Sequence, residues 1–236
     1  MTSRGHPATL PFLVACAGIA TFAGMDVLMK GLSIGLGTYN AMLWRTGIAK
    51  LLILQLFLWR RGRWPETAVL RLHIRRGLLT SVMAYLFFWG LARVPLAEAI
   101  ALSFIAPLLA LYLAAVLLHE RVNRRAVIAS LVGLAGAAIV ISGKLSDDNG
   151  DAEMWGIAAI LVSAVLYAYN LILQRQQALR ADPVEIALFQ SGILAAVYLL
   201  FAPFLAVPPP VTSLPSLGGA AILSLLSILL LSWAYA

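Results

Sequence analysis

Eight apolar stretches, each about long enough to cross a bilayer, run through the chain and leave little sequence for anything else. A hydrocarbon core ~30 Å thick takes about 20 residues of helix at ~1.5 Å each, and backbone in lipid must satisfy its own hydrogen bonds. The stretches read as Leu10 to Met29, Thr38 to Leu58, Ile74 to Ala92, Leu96 to Leu118, Ala126 to Ser142, Met154 to Leu173, Val184 to Val207 and Leu217 to Ala236. The expected fold is therefore all-α and polytopic. With 62% hydrophobic and 11% charged residues, a water-soluble domain of this length could not hide its apolar surface.

A net charge of +7 would ordinarily raise nucleic acid as a partner. Here the basic residues sit beside the spans, where anionic headgroups and the insertion machinery act on them, so the partner read from the charge is the bilayer. With the N-terminus in the cytoplasm, Arg4, Arg60, Arg61, Arg63, Arg71, Arg75, Arg76, Arg121, Arg124, Arg125, Arg175 and Arg180 fall on the cytoplasmic side. Lys30, Arg93 and Lys144 fall opposite, next to Asp147, Asp148, Asp151 and Glu153. That twelve-to-three imbalance places the N-terminus inside a multi-pass protein of the cytoplasmic (inner) membrane. The first stretch is too long for the apolar region of a signal peptide and is kept as a span. Cys16, alone of its kind, lies within it and forms no internal disulfide.

The chain also repeats. Lys30 precedes Trp44 and Arg45 by 14 and 15 residues, and Arg175 precedes Phe189 and Gln190 by the same steps. Phe88-Trp89-Gly90-Leu91-Ala92 aligns with Ser232-Trp233-Ala234-Tyr235-Ala236. The common offset lays segments 6, 7 and 8 on segments 1, 2 and 3. A five-helix unit is odd, so its second copy enters the membrane from the other side, giving an inverted repeat. The expected division is a first repeat over residues 1–143, an external linker over 144–153, and a second repeat over 154–236 that holds three of its five helices. On this reading the frame continues for about 50 to 70 residues and supplies two more spans.

Several motifs fall at matching positions of the first repeat. Arg93-Val94-Pro95-Leu96-Ala97-Glu98-Ala99, then Phe104-Ile105-Ala106-Pro107-Leu108, then His119-Glu120-Arg121-Val122, and the glycine-bounded run from Gly133 to Gly143 resemble EamA-type proteins of the drug/metabolite transporter superfamily. The resemblance implies a ten-helix carrier with both termini cytoplasmic. It implies a small-molecule substrate such as an amino acid, nucleotide derivative or vitamin, moved by secondary-active transport with a coupled proton or counter-substrate. No cofactor is implied. A membrane scaffold or sensor, and a membrane-embedded lipid-modifying enzyme, are the rival classes; direction, coupling ion and oligomeric state, a homodimer included, stay open.

The residues have physical readings of their own. Pro107 removes a mid-span hydrogen bond and should kink the fourth segment, as a plain bend or as part of a gate. Glu98 follows Pro95 in a first turn, where the helix dipole favours a carboxylate. Glu120 meets the opposite pole and needs Arg121, Arg124 or Arg125 as a clamp. Cys16, Ala20 and Gly24, and Ala129, Gly133 and Ala137, form small-residue stripes suited to close helix packing. Tyr85, Trp89, Phe104, Tyr167 and Asn170, with Phe87, Phe88, Tyr112, Tyr169 and Gln174, are candidates for lining a cavity, though aromatics in spans more often face lipid or neighbours. His6, His73 and His119 show no metal-ligand spacing, and the Asp147-to-Asp151 turn is too short for a calcium loop.

Charges within spans carry the functional argument. Arg45 and Lys50 cost ~2.5 to 3.5 kcal/mol each at mid-helix, so they should avoid lipid. Arg45 and Asp26 lie at similar depth from one boundary, which makes a buried pair feasible, with Lys30 a rival partner for Asp26 and snorkelling an outlet for Lys50. Either the pair merely locks two helices, or Asp26 and Arg45 hold opposite charges of a substrate. An arginine on the second helix is also implied by the family resemblance.

Overall fold

A computed structural model describes residues 9–60, 64–118, 124–142 and 151–235. His6, His119, Glu120, Arg121 and the linker from Gly143 to Gly150 lie outside the described residues. The described elements are all helical. They are α1 (Thr9–Leu36), α2 (Thr38–Trp59), α3 (Thr67–Leu91), α4 (Leu96–Ser103), α5 (Ile105–Leu118), α6 (Arg124–Ser142), α7 (Asp151–Ala178), α8 (Pro183–Leu200), the short α9 (Ala202–Leu205), a 3-10 turn over Val211–Ser213, and α10 (Leu214–Ala234).

Six segments among the described residues are long and apolar enough to cross a membrane: α1, α2, α4 with α5, α7, α8 and α10 with its preceding turn. In α6 the apolar stretch is shorter, Val127–Gly136. In α3 the apolar pattern is interrupted by Arg71, His73, Arg75 and Arg76.

Helix limits depart from the apolar runs in three informative places. α1 continues seven residues past Met29, so Lys30 lies inside a helix. Hydropathy stops at a lysine, whereas the backbone stops at Gly37, whose φ of 77° few other residues adopt. α3 starts seven residues before Ile74, which moves Arg71, His73, Arg75 and Arg76 from a loop onto a helix. α7 starts at Asp151 and so takes up the end of the expected linker, its first turn carrying Asp151 and Glu153 where the dipole favours acids. The bend expected from Pro107 is present: helix breaks at Phe104 between α4 and α5, at the turn whose Ser103 carbonyl Pro107 cannot engage.

The main packing pairs are α1 with α10, α3 with α7, and α2 with α8. Two glycines set the second pair. A Cβ on Gly90 would lie 2.5 Å from the Gly156 carbonyl oxygen, and one on Gly156 would lie 2.9 Å from Val94 Cγ2, so the helices touch through backbone. The stripe expected on α1 is only partly the packed face. Gly24 meets Leu223, but Cys16 and Ala20 are exposed, and the buried face runs through Gly18, Met25, Asp26, Met29 and Leu32. A strict four-residue spacing gains 40° per step on a helix of 100° per residue, so it drifts off the contact line.

The end of the bundle where α1 begins is termed here the near end, and the opposite one the far end. The far end is closed by a core of fully buried Met29, Met42, Leu91, Ile160 and Leu217. Polar ties reinforce it: Lys30 Nζ donates to the Val94 carbonyl (2.6 Å), Tyr39 Oη to the Tyr198 carbonyl (2.6 Å), and Trp44 Nε1 to the Val207 carbonyl (2.9 Å).

Candidate functional site

Below the far-end core, two charged side chains are buried without neutralising each other. Asp26 of α1 and Arg45 of α2 are 5% and 6% exposed. The expected direct pair is not formed: no carboxylate oxygen of Asp26 lies within 4.0 Å of an Arg45 nitrogen. With α1 running on to Leu36, Asp26 lies ten residues, roughly 15 Å, from the far end and Arg45 seven residues, roughly 10 Å, so the two stay at similar depth without touching. Arg45 instead sends Nη2 toward Met42 Sδ (3.5 Å) and sets its guanidinium 5.9 Å from the Phe88 ring centroid, a cation–π contact. Arg45 Nε and Asp26 Oδ1 are buried with no hydrogen-bond partner. Leaving such atoms unmet is costly, and native interiors rarely do it without a use.

These charges lie close to several buried phenols. Asp26 and Arg45 are within electrostatic reach of each other, Arg45 of Tyr198, and Tyr198 of Tyr85. Tyr167 is within reach of both Asp26 and Arg76. Five helices thus turn a charge or a phenol toward the same region. Gln190 of α8, the residue that the sequence offset lays on Arg45, is likewise buried (7% exposed) and keeps Oε1 without a partner.

Toward the near end a chain of hydrogen bonds joins α3, α7 and α8. Glu185 Oε1 lies 2.8 Å from His73 Nε2, His73 Nδ1 lies 2.8 Å from Gln177 Nε2, and Arg76 donates through Nη1 to Gln177 Oε1 (2.5 Å) and through Nε to Asn170 Oδ1 (3.0 Å). Thr80 Oγ1 completes it at Asn170 Oδ1 (3.2 Å). The His73 ring stacks on Phe189 at 4.7 Å. A surface cleft of about 400 Å³, lined by Pro65, Glu66, Ala68, Val69, Arg180 and Glu185, opens at this end.

Of the residues picked from sequence, Asp26, Arg45, Tyr85 and Tyr167 come together, and Asn170 joins the near-end chain. The others stand apart. Lys50 is exposed, its stem near Gly192 of α8, as snorkelling requires. Trp89 lies under the guanidinium of exposed Arg93, 3.5 Å from Cζ to the ring centroid. Phe104 and Pro107 are exposed at the α4–α5 break, with Gly133 of α6 in contact with Phe104. Glu98 is buried in the first turn of α4, within reach of Lys30.

Sequence reasoning missed Arg76, His73, Gln177, Tyr198 and Gln190. A signal existed for the first three: His73, Arg76 and Thr80, spaced three and four, and Asn170, Gln174 and Gln177, spaced four and three, each make a polar stripe on one helical face.

Opposite charges buried within spanning helices mark a candidate functional position in a membrane protein. Comparison with known proteins agrees. Residues 9–142 match the EamA-like transporter family, and the chain belongs to that family. It is 25% identical to the pseudopaline exporter CntI of Pseudomonas aeruginosa over 94% of this chain and 77% of that protein. It is 25% identical to the S-adenosylmethionine uptake transporter of Rickettsia felis over 74% of this chain and 58% of that one. The riboflavin transporter of Brucella anthropi is 25% identical over 66% of this chain and 54% of its own length. In fold, a crystal structure of a protein 20% identical in sequence aligns with a TM-score of 0.70, covering 96% of this chain and 78% of that one. The protein is a small-metabolite transporter in general class.

Proposed function

We propose that the protein is a secondary-active carrier that moves a small metabolite bearing both a cationic and an anionic group across the cytoplasmic membrane. The observation that carries this is the unspent pair: Arg45 has donor capacity for an anion and Asp26 acceptor capacity for a cation or a coupled proton, side by side in a buried space. The inverted repeat is part of the proposal. Its support is that adding five to each helix of the ten-helix scheme carries the pair formed by α1 and α10, the first and eighth spans, onto the pair formed by α7 and α3, the sixth and third. Arg45 and Gln190 then sit at equivalent places on the two sides of the site.

The test is direct. Detergent-purified protein is screened by thermal shift against small metabolites, and each stabilising compound is loaded into proteoliposomes for flux. Saturable flux of a stabilising zwitterionic compound is the expected result. Product formation would point to an enzyme, and binding without flux to a sensor; either overturns the carrier reading.

The near end is assigned to the cytoplasm, on the arginine excess there. In a Cys16→Ala background, Arg63→Cys and Arg124→Cys should resist an impermeant thiol reagent added to intact cells, while Asp148→Cys should label. Labelling of the first two reverses the orientation.

A further inference from the structure

We propose that Arg76 forms a second station for the substrate, a site for an oxyanion (carboxylate or phosphate) between the Asp26–Arg45 site and the near end. This deepens the carrier reading and rests on it for the direction of passage, but its test does not depend on flux. Arg76 is 3% exposed and sits nine residues into α3, roughly 14 Å along the helix. Arg45 lies fourteen residues from the near end of α2, roughly 21 Å, so the two arginines leave their helices roughly 7 Å apart in depth. A metabolite handed from one to the other moves toward the near end without losing a cationic partner.

The hydrogen-bond chain shows why Arg76 has charge to offer. Both of its acceptors are neutral amides, Asn170 and Gln177. The nearest acid along the chain, Glu185, is engaged by His73, and Gln177 separates His73 from the guanidinium. No carboxylate among the described residues lies within 4.0 Å of Arg76. A buried cation without a counter-ion is expensive, and inside a membrane it marks a functional position by default. The amides fix the plane of the guanidinium through Nε and Nη1. They engage neither donor of Nη2, the nitrogen that both two-point forks of an arginine share. A planar fork with that corner open suits an oxyanion.

Arg76 is connected on both sides. Tyr167 lies within electrostatic reach of both Asp26 and Arg76, so the two stations share a neighbour. The near-end cleft is lined by Glu185, the terminal member of the chain that leads through His73 and Gln177 to Arg76. If Arg76 only fastened α3 to α7, neither reagent access nor anion sensitivity would be expected of it.

The experiment uses the unmodified protein in phosphatidylcholine nanodiscs, so that no anionic lipid competes. It is treated with 4-hydroxyphenylglyoxal, which modifies accessible arginines, in chloride, succinate or inorganic phosphate at equal ionic strength, and modification at Arg76 is followed by peptide mass spectrometry. The expected result is that Arg76 reacts in the folded protein and is slowed severalfold by succinate, by phosphate or by both relative to chloride. Protection by only one of them names the carboxylate or the phosphate. An Arg76 that reacts only after unfolding, or equally in all three salts, overturns the proposal. If Arg76 is protected but no metabolite shows flux, the anion site stands and the carrier reading falls; flux with an unprotected Arg76 gives the reverse.

Discussion

Gly90→Ala is expected to lower the thermal stability of the detergent-purified protein sharply, and Gly90→Leu to prevent accumulation of folded protein. The added methyl of alanine would lie 2.5 Å from the Gly156 carbonyl oxygen and 2.6 Å from Ile160 Cγ1. A flexible side chain could swing aside, but the first obstacle is backbone and the second belongs to a fully buried residue. α3 and α7 must therefore separate, which also pulls Val94 and Arg93 off Gly156. Overpacking of this kind costs ~1–3 kcal/mol and more when backbone is involved. Gly31→Ala is the control: nothing lies within 4 Å of its Cβ, so the alanine should be neutral or gain up to ~1 kcal/mol of helix propensity. Melting curves of the three proteins in one detergent decide it. Equal curves for wild type and Gly90→Ala would show that the far ends of α3 and α7 part freely.

The contrast between these glycines marks how far the sequence could be read. Class, span order and the α4–α5 break follow from hydropathy and from Pro107, because lipid and the missing N–H of proline act locally. Gly90 was visible only as a member of the stretch from Phe88 to Ala92 that aligns with Ser232 to Ala236, since its importance comes from Gly156, a residue distant in the chain. The site divides in the same way. Asp26 and Arg45 stand out in sequence because a charge in an apolar run is conspicuous, but their relation to each other is not. That depends on the direction each side chain takes inside the bundle, Arg45 turning to Met42 and Phe88, which hydropathy does not carry. Arg76 was hidden for the opposite reason. It sits among Arg71, Arg75 and the loop arginines, where charge counting assigns it to water, yet the helix turns Arg75 outward to Tyr169 and Arg76 inward to Asn170. Counting charges loses the face on which each one lies; the spacing of His73, Arg76 and Thr80 keeps it.

Arg45→Ala is expected to abolish flux while leaving the melting temperature almost unchanged, and the reason lies in what Arg45 does not touch. A buried arginine that locks two helices through an ion pair leaves its partner stranded when removed, a loss of ~3–5 kcal/mol. Arg45 has no carboxylate within 4.0 Å; its contacts are one long approach to Met42 Sδ and a ring at 5.9 Å, the latter worth ~0.5–2 kcal/mol. Against that loss stands relief from a buried charge with an unsatisfied Nε, so the two effects on stability nearly cancel. Substrate binding has no such cancellation. A charge-assisted hydrogen bond to an anionic group is worth ~1.5–3 kcal/mol, so affinity should fall by about 10- to 150-fold on that contact alone. Proteoliposome flux and a melting curve on the same preparation separate the two roles. The double variant Asp26→Arg with Arg45→Asp sharpens the result, because a latch made of two charges works in either orientation whereas a substrate with fixed ends does not. Swapped charges should leave flux lost; full recovery with unchanged substrate preference would make Asp26 and Arg45 a structural pair and remove them from the substrate site.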